Sequence, residues 1–234
     1  MNKQAPEKPD LSLDGSLEVI RVFPTIQGEG LFAGQPAIFV RLAGCNLQCP
    51  LCDTEYTEFR ERYSAEVLAS SILGMARNSR DSQISLVVIT GGEPFRQNLD
   101  ALVRALLLRQ FTVQIETNGT LFQDLPYWHA NLFVICSPKT GTISPPLRPH
   151  IKALKYVVKA GAVDSDGLPS RALGHPSNPR VARPWPGFSG KIYVQPADEK
   201  DQALNAENAE AAIASCLNHN FTLCLQLHKI IGVE

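Results

Sequence analysis

Short β-branched apolar runs recur along the chain, at 17–23 (LEVIRVF), 36–42 (PAIFVRL), 85–90 (SLVVIT), 112–116 (TVQIE), 132–136 (LFVIC), 153–158 (ALKYVV), 191–194 (KIYV) and 222–227 (TLCLQL). A strand with one wet face alternates apolar and polar residues. Several of these runs are almost continuously apolar, as expected of strands covered on both faces in a parallel sheet.

Helical patterns separate some of the runs. Residues 64–77 place Val67, Leu68, Ile72 and Met75 on one stripe, with Ser64 as N-cap. Residues 98–109 do the same with Leu99, Leu102, Val103 and Leu106, and residues 201–218 with Ala209, Ala212, Ile213 and Cys216, with Asn220 beyond the end. Strands alternating with helices predict an α/β fold built of βαβ units. The connectors after residues 116 and 136 are too short or too proline-rich for full crossover helices. The expected architecture is therefore a partial, open TIM-like barrel of parallel strands with few helices.

At 234 residues the chain suits one large domain or two small ones. Residues 1–16 are polar and without periodicity, and read as a disordered tail; 17–234 reads as a single domain. Within it, about 161–190 reads as an irregular insertion, because Gly174, Pro176, Pro179, Pro184, Pro186, Gly187 and Gly190 exclude a helix or central strand. The 22 basic and 23 acidic side chains give no basic excess for nucleic acid or an anionic membrane. No apolar run nears the roughly 20 residues needed to span a bilayer. Met1–Asp14 lacks the apolar core of a secretory signal, so the expected location is cytoplasmic.

Of six cysteines, Cys45, Cys49 and Cys52 form a CxxxCxxC run directly after the strand at 36–42. Three thiolates so close repel one another unless a cation neutralises them. A structural zinc site would need a fourth protein ligand, and the nearest histidine in sequence is His129. An iron–sulfur cluster usually takes four cysteines, so three leave one iron open. Cys136, Cys216 and Cys224 lie in apolar segments and read as core.

CxxxCxxC after a strand near the start of an α/β chain resembles the signature of radical S-adenosylmethionine (SAM) enzymes. The resemblance implies a [4Fe-4S] cluster whose open iron chelates SAM, and reductive cleavage of SAM to a 5′-deoxyadenosyl radical. The position before the third cysteine is usually aromatic in that superfamily and is Leu51 here. Thr90-Gly91-Gly92-Glu93-Pro94, closing the strand at 85–90, resembles the superfamily's GGEP element. Its glycines permit close backbone approach to a ligand.

Flanking segments narrow the match. Ile26-Gln27-Gly28-Glu29-Gly30, Phe39 to Leu47, Cys52-Asp53-Thr54, Glu116 to Thr120, Ser137-Pro138-Lys139, Tyr193 to Asp198 and Gln226 to Lys229 resemble the 7-carboxy-7-deazaguanine synthase family. That family converts 6-carboxy-5,6,7,8-tetrahydropterin to 7-carboxy-7-deazaguanine with loss of ammonia, on the route to queuosine. It uses SAM catalytically and depends on Mg²⁺. The resemblance implies that Cys45, Cys49 and Cys52 hold the cluster. Leu51, Cys52, Asp53, Gly92, Glu93, Ser137, Pro138, Lys139, Gln195, Pro196, Ala197 and Asp198 would contact SAM. Ile26, Gln27, Gly28, Glu29, Arg41, Thr90 and His228 would contact the pterin, and Thr54 would ligate Mg²⁺. It further implies a homodimer and an external electron donor such as a flavodoxin or ferredoxin.

Bland readings stand beside these. Arg41 suits a carboxylate clamp, yet an arginine in an apolar strand is more often a structural ion pair. Thr54 could cap a turn, and His228 and Glu29 could be satisfied interior residues. A radical SAM activase of a glycyl-radical enzyme shares the cysteine motif, but it needs an open groove for a protein substrate more than a carboxylate clamp. A noncatalytic zinc or interaction module would require the missing fourth ligand.

Overall fold

The computed structural model describes residues 3–50, 52, 54–77, 83–125, 130–172 and 180–233. Its strands are β1 (Ser16–Ile26), β2 (Pro36–Leu42), β3 (Glu61–Ser64), β4 (Leu86–Gly91), β5 (Thr112–Thr117), β6 (Leu132–Cys136), β7 (Ile151–Val158), β8 (Lys191–Pro196) and β9 (Thr222–Leu223). The helices are α1 (Ala65–Ala76), α2 (Asp100–Leu108), α3 (Gln202–His219) and α4 (Leu227–Ile231). The strands form one nine-stranded sheet in the order β3-β1-β2-β4-β5-β6-β7-β8-β9. Pairing is antiparallel at β3-β1-β2 and parallel from β2 through β9. The sheet does not close: β3 and β9 are its edges. This is the open, partial-barrel α/β architecture.

The continuous apolar runs have a direct cause. One sheet face, carrying Ile38, Val40, Val87, Ile89, Val113, Ile115, Val134, Leu154 and Val194, shares a buried core with Leu68, Ile72, Leu102, Leu106 and Ala212 of the helices. The opposite, concave face is covered too. There the β1–β2 loop folds back over the strands: Leu31 packs with Ile135, Ala153 and Tyr193, and Phe32 meets Phe133 edge-on at 5.0 Å.

The helices form where the pattern places them, but two turn a different face inward. In α1 the Ser64 hydroxyl accepts the Val67 amide, as its N-cap role requires. The buried positions are Ala65, Leu68, Ala69, Ile72 and Ala76, while Val67 and Met75 are exposed. Small alanines let the helix approach the sheet closely, so the large side chains do not define the stripe. In α3, Asn208, Ala212 and Ser215 are buried, and Ile213 is exposed. Asn208 caps strand ends instead: its carbonyl oxygen accepts the Ala160 amide and its amide donates to the Ala197 carbonyl. Asn220 ends α3 in the left-handed region at φ 55°. The run at 222–227 is a strand only over Thr222–Leu223; His228 lies in α4, not on a strand.

Residues 3–14 differ from the disordered tail expected of 1–16. They contain no helix or strand, yet they are hydrogen-bonded across the molecule, the Glu7 amide to the Cys45 carbonyl (2.7 Å) and the Asp10 amide to the Arg96 carbonyl (2.7 Å). Met1 and Asn2 lie outside the described residues. In the 161–190 segment, residues 173–179 also lie outside them. The described remainder is irregular and is tied together by Arg180 and Arg183 on Asp164 and Asp166.

Candidate active site

Ligands of parallel α/β sheets bind beyond the carboxyl ends of the strands. A cavity of about 360 Å³ lies there, opening onto the loops after β2, β4, β5, β6, β8 and β9.

The loop after β2 carries the three cysteines. Gly44, at φ +75°, turns the chain away from the strand and donates its amide to the Tyr56 carbonyl (2.7 Å). Cys45 and Cys49 are buried, Cys52 is half-buried, and all three line the cavity. Burial pushes the Cys45 thiol up to about 12 and raises that of Cys49. The two buried thiols become thiolates only when a bound cation compensates their charge. Among the described residues no three His, Cys, Asp or Glu side chains converge as around a single metal ion. Soft sulfur donors sharing one cavity wall fit an iron–sulfur cluster.

Gly91 and Gly92 hold this loop against β4. Gly91 sits at φ +124°, and the Gly92 and Glu93 amides donate to the Leu42 and Gly44 carbonyls at 3.2 and 3.0 Å. A Cβ on Gly92 would overlap the Gly44 carbonyl oxygen. Glu93 is fully buried behind the cavity wall. Its carboxylate accepts the Asn118 amide (2.7 Å), the Thr117 hydroxyl (2.7 Å) and the Phe95 amide (3.1 Å). Burial nonetheless raises its pKa to about 7. Asn118 reaches from there to Asn46 of the cysteine loop (2.9 Å). Glu93 thus anchors the strand ends around the cavity without lining it.

The concave face supplies the charged floor. Arg41 of β2 pairs in register with Thr90 of β4, and its guanidinium lies 5.4 Å from the Phe23 ring centroid. The Thr90 hydroxyl donates to Glu116 (3.3 Å), which also accepts from Gln27 (3.0 Å) and Gln114 (2.9 Å). Lys155 of β7 forms an ion pair with Glu29, whose other oxygen accepts from Gln226 (2.9 Å). Burial works against both ions, but each partner reverses it: Lys155 is held above its usual pKa and Glu29 below.

Most residues implied by the family resemblance meet at this cavity. Ile26, Gln27, Glu29, Arg41, Thr54, Thr90, Gly92, Ser137, Lys139, Gln195, Ala197, Asp198 and His228 line it with the three cysteines. The Lys139 ammonium donates to the Ser137 hydroxyl (2.5 Å), and burial with the nearby Lys155 lowers its pKa. Asp198 at the rim accepts from Lys229 (2.7 Å), which holds its carboxyl well below the usual range. Pro138, Pro196 and Gly28 are not among the lining residues. Gly28 packs under His228, whose ring a Cβ would overlap, and its carbonyl accepts the Leu227 amide (3.1 Å). Leu51 and Asp53 lie outside the described residues.

Of the remaining cysteines, Cys136 is core and Cys216 packs at the core's edge. Cys224 is buried but reaches the site, with its sulfur 3.8 Å from Gln195 Oε1. Glu116, Asn118 and Gln226, which lie in segments that carry the family resemblance but were given no role, line the cavity, as does Lys155, which the sequence reading did not single out. The signal for Lys155 was present: a charge inside ALKYVV is as anomalous as Arg41 inside FVRL.

The radical SAM superfamily profile matches residues 40–128, from β2 through β5. A 7-carboxy-7-deazaguanine synthase of Rhodospirillum rubrum is 44% identical over 96% of this chain and 96% of its own. One from Rickettsia prowazekii is 40% identical over 98% of this chain and 94% of its own. The crystal structure of QueE from Escherichia coli superposes with a TM-score of 0.67 at 26% identity, covering 90% of this chain and 94% of that one. Joined to a three-cysteine loop and a charged strand-end cavity, these likenesses place the chain in the 7-carboxy-7-deazaguanine synthase family of radical SAM enzymes.

Proposed function

We propose that the chain converts 6-carboxy-5,6,7,8-tetrahydropterin to 7-carboxy-7-deazaguanine and ammonia, in deazapurine biosynthesis. The observation that carries this reading is the shared cavity: the cysteine loop forms one wall, and Arg41, Thr90, Glu116 and the Glu29–Lys155 pair form the floor beside it. A carboxylate-bearing heterocycle with amide-like edges suits such a floor, and the enclosing β1–β2 loop suits a small molecule better than an extended polypeptide. The activase alternative is not favoured.

When bound, a [4Fe-4S] cluster with SAM supplies a carbon radical able to abstract a substrate hydrogen. Cys45, Cys49 and Cys52 would hold the cluster. Gly92, Ser137, Lys139, Gln195, Ala197 and Asp198 orient SAM, with Glu93 fixing the wall behind it and Leu51 and Asp53 flanking Cys52. Arg41 clamps the substrate carboxylate through paired charge-assisted hydrogen bonds. Gln27, Glu29, Thr90 and His228 meet the pterin edge, and Gly28 leaves space for His228. Thr54 would contribute its hydroxyl to Mg²⁺, which a single hydroxyl cannot hold as a preformed cage and which would therefore also need substrate oxygens. The working enzyme is a cytoplasmic homodimer supplied with electrons by a flavodoxin or ferredoxin. No helix among the described residues is long and apolar enough to cross a membrane.

Anaerobic reconstitution with iron and sulfide, followed by an ammonia-release assay, tests the reading. We expect carboxytetrahydropterin to release ammonia only with SAM and reductant present, and Mg²⁺ to raise the rate. No ammonia above the SAM-free control refutes it.

A further inference from the structure

We propose that residues 3–14 are a strap that positions the cluster-binding loop, with Gln4 and Glu7 as its positioning residues. The loop needs outside support. Between Cys45 and Arg60 its described residues form neither helix nor strand. Among the described residues its own ties include the Cys52 amide to the Cys49 carbonyl (3.1 Å), the Gly44 amide to the Tyr56 carbonyl (2.7 Å), the Tyr56 hydroxyl to the Leu47 carbonyl (3.3 Å) and a turn in which Glu55 accepts the Thr57 and Glu58 amides (2.6 and 3.0 Å), while Asn46 meets Thr120 and Asn118 on the β5 side (2.8 and 2.9 Å).

The strap supplies what is missing, and at both ends of the ligand set. At the first ligand, the Glu7 amide donates to the Cys45 carbonyl at 2.7 Å. Just beyond the third, the Gln4 carboxamide bridges two backbone groups: Nε2 donates to the Thr54 carbonyl (3.0 Å) and Oε1 accepts the Tyr56 amide (2.8 Å). The strap is itself anchored. Glu7 pairs with Arg60 at 2.7 Å, and Arg60 also donates to the Thr57 carbonyl (3.2 Å). Buried Arg96, next to the GGEP turn, lies 3.4 Å from Glu7 and donates to the carbonyls of Lys8 and Ala43, each at 3.1 Å. One segment thereby ties the cysteine loop to the turn after β4. A loop so clamped holds its sulfurs in place, so loosening the strap should make iron held there easier to remove.

The proposal rests on the cluster, not on the pterin. Its test is the rate at which a strong iron chelator strips the anaerobically reconstituted full chain, alongside thermal unfolding of the cluster-free protein. Gln4→Ala removes both of these hydrogen bonds to the loop, so iron release is expected to quicken about fivefold to tenfold. Deletion of residues 2–8 should quicken it further, and Lys8→Ala, whose exposed side chain leaves the backbone contact intact, should not change it. The cluster-free Gln4→Ala protein should melt only a few degrees below the parent, because the same two hydrogen bonds are present without the cluster. Wild-type iron release from both strap variants overturns the proposal. So does an equal quickening in Ser64→Ala, which removes the α1 N-cap away from the loop at a similar loss of cluster-free stability, because the strap would then be only a structural brace. Neither readout depends on product formation, so failure of the pterin reading would leave this result standing.

Discussion

The Glu29–Lys155 pair is a buried charge pair whose removal should reveal how the site is built. The two side chains are 12% and 13% exposed and join the β1–β2 loop to β7, with Gln226 as a third partner from the C-terminal segment. Replacing one ion leaves the other largely enclosed without its main partner, which costs about 3–5 kcal/mol; replacing both with neutral groups of similar size costs far less. Lys155→Met and Glu29→Gln should therefore each destabilise the cluster-free protein by about 3–5 kcal/mol. With a urea slope near 3 kcal/mol/M, the midpoint would fall by about 1–1.7 M. The double variant should lie within about 2 kcal/mol of the parent, giving a coupling energy of several kcal/mol in the double-mutant cycle. Urea titrations followed by far-ultraviolet circular dichroism measure all four corners. Single variants that lose less than about 1 kcal/mol, or a double variant that loses the sum of the singles, would refute a buried, mutually dependent pair.

Three other perturbations probe separate parts of the site. Gly92→Ala drives a Cβ into the Gly44 carbonyl, which is backbone and cannot turn aside; reconstituted protein should hold less than about a tenth of the parental iron, measured by colorimetric iron assay. Glu93 is raised from 4.5 to about 7, so the folded state keeps a proton that the unfolded state loses. Stability of the cluster-free, SAM-free protein should fall as pH rises from about 4.5 to 7, by about 3 kcal/mol in all, and Glu93→Gln should flatten that part of the profile in urea titrations at several pH values. Arg41→Lys keeps the charge but loses the planar fork; KM for the carboxypterin should rise about tenfold while kcat changes by less than threefold, read from initial rates.

The legible parts of the fold are those where burial alone decides. β2 and β4 through β8 lie between two covered faces, so their apolar runs announce them. β3 carries no such signal. Its Glu61-Arg62-Tyr63-Ser64 sequence is largely exposed and becomes a strand only by pairing with β1 at the sheet edge. The α3 stripe misleads for a related reason: Asn208 and Ser215 are buried because loop backbone groups meet their side chains, a tertiary condition invisible to periodicity. The strap shows neither periodicity nor hydrophobicity, since its binding is made of hydrogen bonds and ion pairs. In the site, spacing exposes the cysteines because three ligands must reach one cluster. Glu116 and Lys155 are distant in sequence, and only the parallel register places them on one concave face.

The most direct measurement is product mass under limiting SAM. Anaerobically reconstituted protein with Mg²⁺, reductant and excess 6-carboxytetrahydropterin should yield 7-carboxy-7-deazaguanine, lighter than the substrate by one ammonia, in amounts exceeding the SAM supplied. Substrate recovered at unchanged mass, while SAM is cleaved to 5′-deoxyadenosine, would contradict the account.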